Sequence, residues 1–298
     1  MKKFGKLIAP LALLLTSPAC AQSTPVTVAR DADPALWVVK DADTTIYLFG
    51  TIHVLQPGIK WFDGGVKKAF DSSDQVVLEI LTPDQAKMMA IVKDKGFAHD
   101  GKALTDRLPV EKRAAFGKAL TSLGLPATAF DTMEPWFAAT NLELIPLQKL
   151  GFDLSNGPEG IITKASNDAG KKLTALETAE QQLGFFDGLS MPAQVAFLSS
   201  TVDEMPTLEH SVTEMVDDWA KGDPDALGKL LNDDITSSPE IEKVLLVDRN
   251  KRWADWIDAR LKQPGVVFIA VGAGHLAGEN SVIEQLKAHH LKAERVKY

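Results

Sequence analysis

Two apolar, β-rich runs lie at opposite ends of this chain, residues 45–49 and 266–271, and each is closed by a Gly-x-x-His tetrad. The tetrads are Gly50-Thr51-Ile52-His53 and Gly272-Ala273-Gly274-His275. The unbroken run Val266-Val267-Phe268-Ile269-Ala270-Val271 is the pattern of a strand buried on both faces. A fold that buries both runs in one sheet must bring the two ends of the chain together. Two histidines then emerge from that sheet in matching local settings.

The rest of the pattern agrees with such a sheet. Residues 36–40 and 45–49 read as strands joined by the turn Asp41-Ala42-Asp43-Thr44, a hairpin. After the loop Gln56-Pro57-Gly58, a short helix starts near Asp63-Gly64-Gly65, with Val66, Ala69 and Phe70 on one face. Asp71-Ser72-Ser73-Asp74 breaks it, and residues 75–80 form the next strand. Strand–helix–strand crossovers place their strands parallel. Residues 84–150 are mostly helical, with Pro109, Pro126 and Pro135 at helix starts. A helix within 153–170 is weakened by Gly157, Pro158 and Gly160, and residues 172–177 read as a strand. Helices punctuated by Pro192, Pro206, Pro224 and Pro239 run from 179 to about 262, where Pro264-Gly265 stops them. A helix over 279–290 and a strand over 293–298 complete the chain. The expected fold is therefore α/β (α+β): a central mixed β-sheet drawn from the N- and C-terminal segments, with a large helical middle region. Residues 22–298 read as a single domain, with about 84–262 as a helical insertion or cap.

Residues 1–21 read as a signal peptide. Lys2, Lys3 and Lys6 precede the apolar segment 7–15, and Ala19-Cys20-Ala21 fits an A-x-A cleavage site. The expected location is the periplasm. Cys20 is the sole cysteine, so no disulfide framework exists. Cleavage after Ala21 would release a cysteine-free protein, and cleavage before Cys20 would leave a lipid anchor. Ser17-Pro18-Ala19 is a poor lead-in for lipid modification and favours the first. No apolar stretch is long enough for a transmembrane helix. The formal net charge of −8 becomes more negative once the three leader lysines are removed, which argues against nucleic acid as a partner.

His53, Glu79 and His275 each lie at or near the end of an expected strand. Ligands bind beyond the carboxyl ends of parallel strands in open α/β sheets. Neighbouring strands are ~4.8 Å apart, so side chains from their ends can converge on one ion. Imidazole and carboxylate donors suit zinc, manganese, cobalt or iron. A single His after a strand is more often structural, and it is the repeated tetrad that raises the metal reading to its equal. No H-E-x-x-H helix is present. His210 and Glu214 have i, i+4 spacing but read as a solvated pair, and His99, His289 and His290 as surface residues. Gly272-Ala273-Gly274-His275-Leu276-Ala277 also matches a dinucleotide fingerprint, with Glu294 about 20 residues on. Its context fails, because Glu294 starts its strand rather than ending it. Glu177, at a strand end, could face the same cleft as His53, while Glu180 compensates a helix N-terminus. Arg249 could clamp a carboxylate or stabilise an oxyanion. From spacing alone, a surface ion pair with Glu242 or Asp248 is its commoner reading.

Taken in order, Leu36-Trp37, Tyr47-Leu48-Phe49-Gly50-Thr51-Ile52-His53, Val77-Leu78-Glu79, Leu176-Glu177-Thr178, Arg249-Asn250 and Gly272-Ala273-Gly274-His275 resemble the motifs of the TraB/GumN (TraB/PrgY/GumN, Tiki-like) family. The resemblance spans almost all of the mature chain. It implies a fold related to the erythromycin-esterase and haem-binding ChaN-like group. The family includes the Tiki proteins, metal-dependent proteases that use two G-x-x-H motifs and an acidic residue with manganese or cobalt. It also includes plasmid-encoded pheromone-shutdown proteins. Carried over, the resemblance makes His53 and His275 metal ligands and Glu79 a further ligand or the general base for a water. Arg249 would stabilise developing charge. The expectation is a periplasmic metal-dependent, peptidase-like hydrolase holding manganese, cobalt or zinc and acting on a peptide or small molecule. The alternative is a non-catalytic peptide- or haem-binding envelope protein of the same fold, which would have no need of Glu79 beside two imidazoles.

Overall fold

The central sheet starts from a hairpin. Strands β2 (Leu36–Lys40) and β3 (Thr44–Thr51) pair antiparallel, with Leu36 opposite Phe49 and Lys40 opposite Thr45. Their turn is fixed by Asp41, whose Oδ1 accepts from the backbone N–H groups of Asp43 (3.1 Å) and Thr44 (2.8 Å). The computed structural model describes residues 30–153, 156–232 and 238–298. The leader reading at 1–21, with Cys20, lies outside them.

Ahead of the hairpin, β1 (Arg30–Asp31) pairs only with β4 (Ile59–Lys60) in a separate two-stranded ribbon. Beyond it lie α1 (Gly64–Ser72), β5 (Gln75–Leu78), β6 (Lys172–Ala175), β7 (Gly265–Gly272) and β8 (Glu294–Arg295). The main sheet has the order β6-β5-β7-β3-β2-β8. β6, β5, β7 and β3 are mutually parallel, while β2 runs antiparallel to both of its neighbours, β3 and β8, so the sheet is mixed as expected. The crossover through α1 does make β3 and β5 parallel, but they are not neighbours. The apolar C-terminal strand β7 inserts between them and pairs with both. It is buried on both faces, which is why its sequence carries no polar alternation.

The middle of the chain supplies α2 (Gln85–Lys95), α3 (Leu104–Arg107), α4 (Val110–Ser122), α5 (Pro135–Lys149) and α6 (Pro158–Asp168). After β6 come α7 (Ala179–Asp187), α8 (Met191–Glu204), α9 (Leu208–Ala220), α10 (Pro224–Asn232) and α11 (Pro239–Glu242). A π turn at Lys243–Val247 leads into α12 (Asp248–Leu261), and α13 (Val282–Gln285) is one turn long. Proline opens α5, α6 and α8 within their first turn, where its missing N–H costs nothing. Pro126 opens no helix; residues 127–132 form turns. The helix expected over 279–290 is α13 followed by a 3-10 turn at Leu286–His289, because Ser281 caps its start and His290 adopts a left-handed φ of 58°. The last strand shrinks to β8, where Glu294 and Arg295 pair with Val38 and Trp37, and Val296 adds one backbone hydrogen bond to Leu36.

Three apolar cores form among the described residues. One face of the sheet, with Phe49, Leu78, Phe268 and Ala270, packs on α1, α6, α9 and α10. The opposite face, with Ile46, Val77, Ile269 and Val271, packs on α12 and α13. The third lies among the helices alone, around Trp136, Phe186 and Leu198. The sheet is thus covered on both faces, and its carboxyl edge is left for the site.

Candidate functional site

The register places the two tetrads side by side: Gly50 is opposite Val271 and Thr51 opposite Gly272 on the adjacent parallel strands β3 and β7. They touch, since a Cβ on Gly50 would lie 3.2 Å from both Cα and Cβ of Ala273. On the other side of β7, Leu78 pairs with Ala270, which sets Glu79 beside Gly272. Its Oε1 accepts the Gly272 backbone N–H at 2.6 Å. His53, His275 and Glu79 therefore come from the ends of three neighbouring parallel strands. A Cβ on Gly272 would lie 3.1 Å from Glu79 Oε1, 3.6 Å from His53 Nε2 and 3.7 Å from His275 Cδ2. Glycine at that position leaves a small space around which the three side chains gather.

Each imidazole is fixed from behind. His53 donates from Nδ1 to Glu159 Oε1 at 2.8 Å, and Thr51 donates its hydroxyl to the same oxygen at 2.6 Å. Glu159 stands at the second position of α6, after Pro158, where the helix N-terminus favours a carboxylate. Burial pushes the His53 pKa down, but the charge and hydrogen bond of Glu159, with Glu79 behind them, outweigh it and hold it above its ordinary value. Glu159 is correspondingly lowered: burial raises it, and His53 and the Thr51 hydroxyl more than offset that.

His275 is bound differently. Its Nδ1 lies 2.6 Å from Asn250 Oδ1 and its Nε2 3.0 Å from Arg249 Nη1. A guanidinium only donates, so Nε2 accepts and the proton sits on Nδ1, directed at the Asn250 carbonyl oxygen. Burial first, and then the Arg249 charge, push the His275 pKa down to about 3. This ring is neutral at any ordinary pH.

Arg249 is the hub of the buried polar cluster. Its Nε donates to both Glu177 oxygens (3.0 and 3.1 Å) and its Nη2 to Glu177 Oε2 and Glu79 Oε2 (2.8 Å each). Its Nη1 also reaches the Leu245 carbonyl at 3.2 Å, inside the π turn. Trp253 lies 4.8 Å from its guanidinium carbon and donates from the indole to Glu177 Oε1 at 3.2 Å. Gln182 donates to Glu79 Oε2 at 2.8 Å. Glu79 is buried, which raises its pKa, but Arg249, the histidines and the Gly272 N–H bring it down to about 2. The surface pairing of Arg249 with Glu242 or Asp248 is thus corrected. Arg249 is only 4% exposed, because the π turn sets α12 with Arg249, Asn250, Trp253 and Ile257 inward, and Lys243 pairs with Asp248 instead. Glu177 likewise sits behind Arg249 rather than in the cleft wall.

The cleft itself has a volume of about 760 Å³ and opens beside His53, Glu79 and Glu159, between α6 and the segment that follows β5. Arg249 and His275 are not on its walls. His210, Glu214, His99 and His290 are exposed, and His289 pairs with Asp255 at 3.0 Å. Past β7 the chain enters a 3-10 turn, Ala273–Leu276, rather than the α-helix a dinucleotide site requires.

No group of three His, Cys, Asp or Glu side chains among the described residues is arranged to hold an ion as it stands. The donor chemistry nevertheless fits one. Both imidazoles are anchored through Nδ1, Glu79 is ionised, and Gly272 leaves room between them. An ion would compete with Arg249 for His275 Nε2 and for Glu79.

The profile of the TraB/PrgY/gumN family matches residues 35–295. The chain belongs to this family. The match takes in both tetrads, Glu79, Glu159, Glu177 and Arg249. Among curated proteins the chain is similar to YbaP of Escherichia coli (strain K12) and of Shigella flexneri, both described as uncharacterized. To each it is 25% identical over 261 residues, 85% of this chain and 92% of the relative. An uncharacterized protein of Treponema pallidum (strain Nichols) is 20% identical over 270 residues, covering 86% of this chain and 80% of its own length. No solved structure matches it. Among the described residues no helix is long and apolar enough to cross a membrane.

The residues that sequence reasoning missed are Glu159, Gln182 and, in its specific role, Asn250. Glu159 was hidden in Gly157-Pro158-Glu159-Gly160, a stretch that reads as a damaged helix. The available signal was an acid directly after a Pro that opens a helix.

Proposed function

We propose that this chain is an exported, metal-dependent hydrolase acting on peptide-like carbonyl compounds in the cleft beside His53. One arrangement carries the reading. The two tetrad imidazoles flank Glu79, and each is held through Nδ1 by an acceptor outside the trio, Glu159 or Asn250. Metal-ligating histidines are prepared in this way, with the second nitrogen tied to a carboxylate or carbonyl so that tautomer and ring orientation are set. His53, His275 and Glu79 would hold the ion, with manganese, cobalt and zinc all compatible with two imidazoles and a carboxylate. Export is supported by the basic start, apolar segment and Ala19-Cys20-Ala21 of the leader.

When bound, a divalent ion supplies Lewis-acid polarisation of the scissile carbonyl. The chain's own groups do the rest. With a pKa of about 2, Glu79 is too weak a base to take a proton efficiently near neutrality, so of its two implied roles the ligand role fits better. Arg249 does not reach the cleft. It holds Glu79 and His275 in place and is a positioning residue. Glu159 and Thr51 keep the His53 ring turned with Nε2 toward Gly272 and Glu79.

A second reading rests on His53 alone. Its Nε2 is the open imidazole nitrogen, Nδ1 is backed by a carboxylate, and its pKa is raised toward the working range of a general base. Hydrolysis by a His53–Glu159 pair would proceed without an ion. Peptide hydrolysis by purified protein, before and after chelation and with manganese, cobalt or zinc restored, separates the two. Turnover lost on chelation and regained with metal supports the first reading, and turnover indifferent to chelator but lost in Glu159→Gln supports the second. Peptide binding without turnover in any condition contradicts both.

A further inference from the structure

Every charged group on the cleft wall already has a partner. Glu159 is paired with His53, Glu79 with Arg249, and Lys164 with Asp168 one turn along the exposed side of α6. What remains is apolar on one side and neutral on the other. Leu78 and Leu173, from adjacent strands, form the floor, and Ile80 with the exposed Leu81 forms a wall. Thr163 and Asn167, four residues apart on α6, face them. A charged group buried here would lose its hydration and find no unengaged counter-charge on the wall. An apolar group would cover Leu78, Leu173 and Leu81 at no such penalty.

We propose that this part of the cleft is a specificity pocket for one uncharged, apolar side chain of a peptide, the residue that flanks the bond presented to His53. The whole cleft, about 760 Å³, has room for a leucine- or phenylalanine-sized group here with its neighbouring backbone beside His53. Leu81 and Thr163 determine the preference from opposite sides. The proposal rests on the hydrolase reading only for the fate of the bound peptide, not for its binding.

The test is calorimetric binding of three defined peptides, N-acetyl-Ala-Leu-Ala-amide and its Asp- and Lys-centred counterparts, to the full mature chain. The same samples are followed by mass spectrometry for cleavage. The Leu peptide should bind at least about tenfold more tightly than either charged one, the scale of discrimination an apolar pocket achieves. Leu81→Asp, at an exposed position, should abolish that preference. So should Thr163→Trp, which fills the pocket from the helix side, and circular dichroism and melting confirm that both variants fold. Equal affinity for the three peptides, no binding of any, or a preference unchanged in both variants overturns the pocket, even if hydrolysis is observed. Selective binding erased by both variants with no cleavage upholds the pocket and overturns the hydrolase reading.

Discussion

Arg249 Nη1 donates to His275 Nε2 across 3.0 Å, and because a guanidinium has no acceptor this single bond fixes the imidazole as its Nδ1–H tautomer. The same guanidinium holds Glu79 and Glu177, so one buried cation orients two of the three side chains gathered around Gly272.

Removing that cation should be expensive. Arg249→Met leaves Glu79 buried without its partner and Glu177 with only the more distant Arg252 at 3.8 Å, and breaking a buried pair from one side costs about 3–5 kcal/mol. Denaturant unfolding of the variant against the native chain measures this directly. A loss below about 1 kcal/mol, the range of a surface pair, would mean that the cluster is solvated. Arg249→Lys should recover only part of the loss, since a point charge cannot reproduce the fork that spans Glu177, Glu79 and His275.

Glu159 should matter through His53. Glu159→Gln removes the charge that outweighs burial at His53, so the His53 pKa falls. An NMR titration of His53 checks the shift. Loss of such a supporting carboxylate costs about 10–100-fold in metal affinity or activity. An unchanged His53 titration would show that the 2.8 Å contact does not persist in solution.

Gly272→Ala isolates the space between the three side chains. The backbone there, φ −52° and ψ 133°, suits alanine, so the conformation itself is not strained. The added methyl would stand 3.1 Å from Glu79 Oε1, an oxygen already tied to the same residue's N–H. Stability should fall by about 1–3 kcal/mol from overpacking. Function should fall by about tenfold or more, as for a displaced metal-supporting group. Turnover equal to the native chain would place the reacting centre elsewhere.

Acid should destabilise the fold in two stages. His275 is held down to about 3 in the native state, whereas an unfolded histidine titrates near 6.5. Between those values the unfolded chain binds more protons, so stability falls as pH drops through that window. Glu79, lowered to about 2, adds a loss that begins below the unfolded carboxylate value near 4.3 and continues toward 2. His53, raised, works in the opposite sense: its stabilisation is complete below about 6.5 and is lost as pH rises through its folded value. Unfolding free energy measured from pH 8 to 4, native against His275→Gln, should show the upper acid stage flattened in the variant. Parallel curves would remove His275 from the account.

Local sequence pattern carried much of this site, for identifiable reasons. Strands β3 and β7 are apolar runs closed by glycine, so their ends, and His53 and His275 with them, could be read directly. Glu79 followed from the end of β5. The order of strands could not be read, because nothing local to β7 says that it enters between β3 and β5. That insertion is what makes Glu79 a neighbour of both tetrads. Arg249 was obscured by composition, since α12 is rich in charge and looks like a surface helix. Only the spacing of Arg249, Asn250, Trp253, Ala254 and Ile257 records its buried stripe. Glu159 lay behind glycines and a proline that suggested a loop, although Pro158 opens α6 and delivers the carboxylate to His53.

The central claim is that the two tetrad histidines and Glu79 form one ion site. Its most direct test is titration of manganese, cobalt or zinc into metal-free protein at neutral pH, comparing the native chain with His53→Ala and His275→Ala and scoring stoichiometry and affinity. The account predicts one ion per native chain and a loss of affinity of about 100-fold or more in either variant, the upper range for disturbing even a supporting group. Native protein that binds no ion, or variants that bind it as tightly as the native chain, would contradict it.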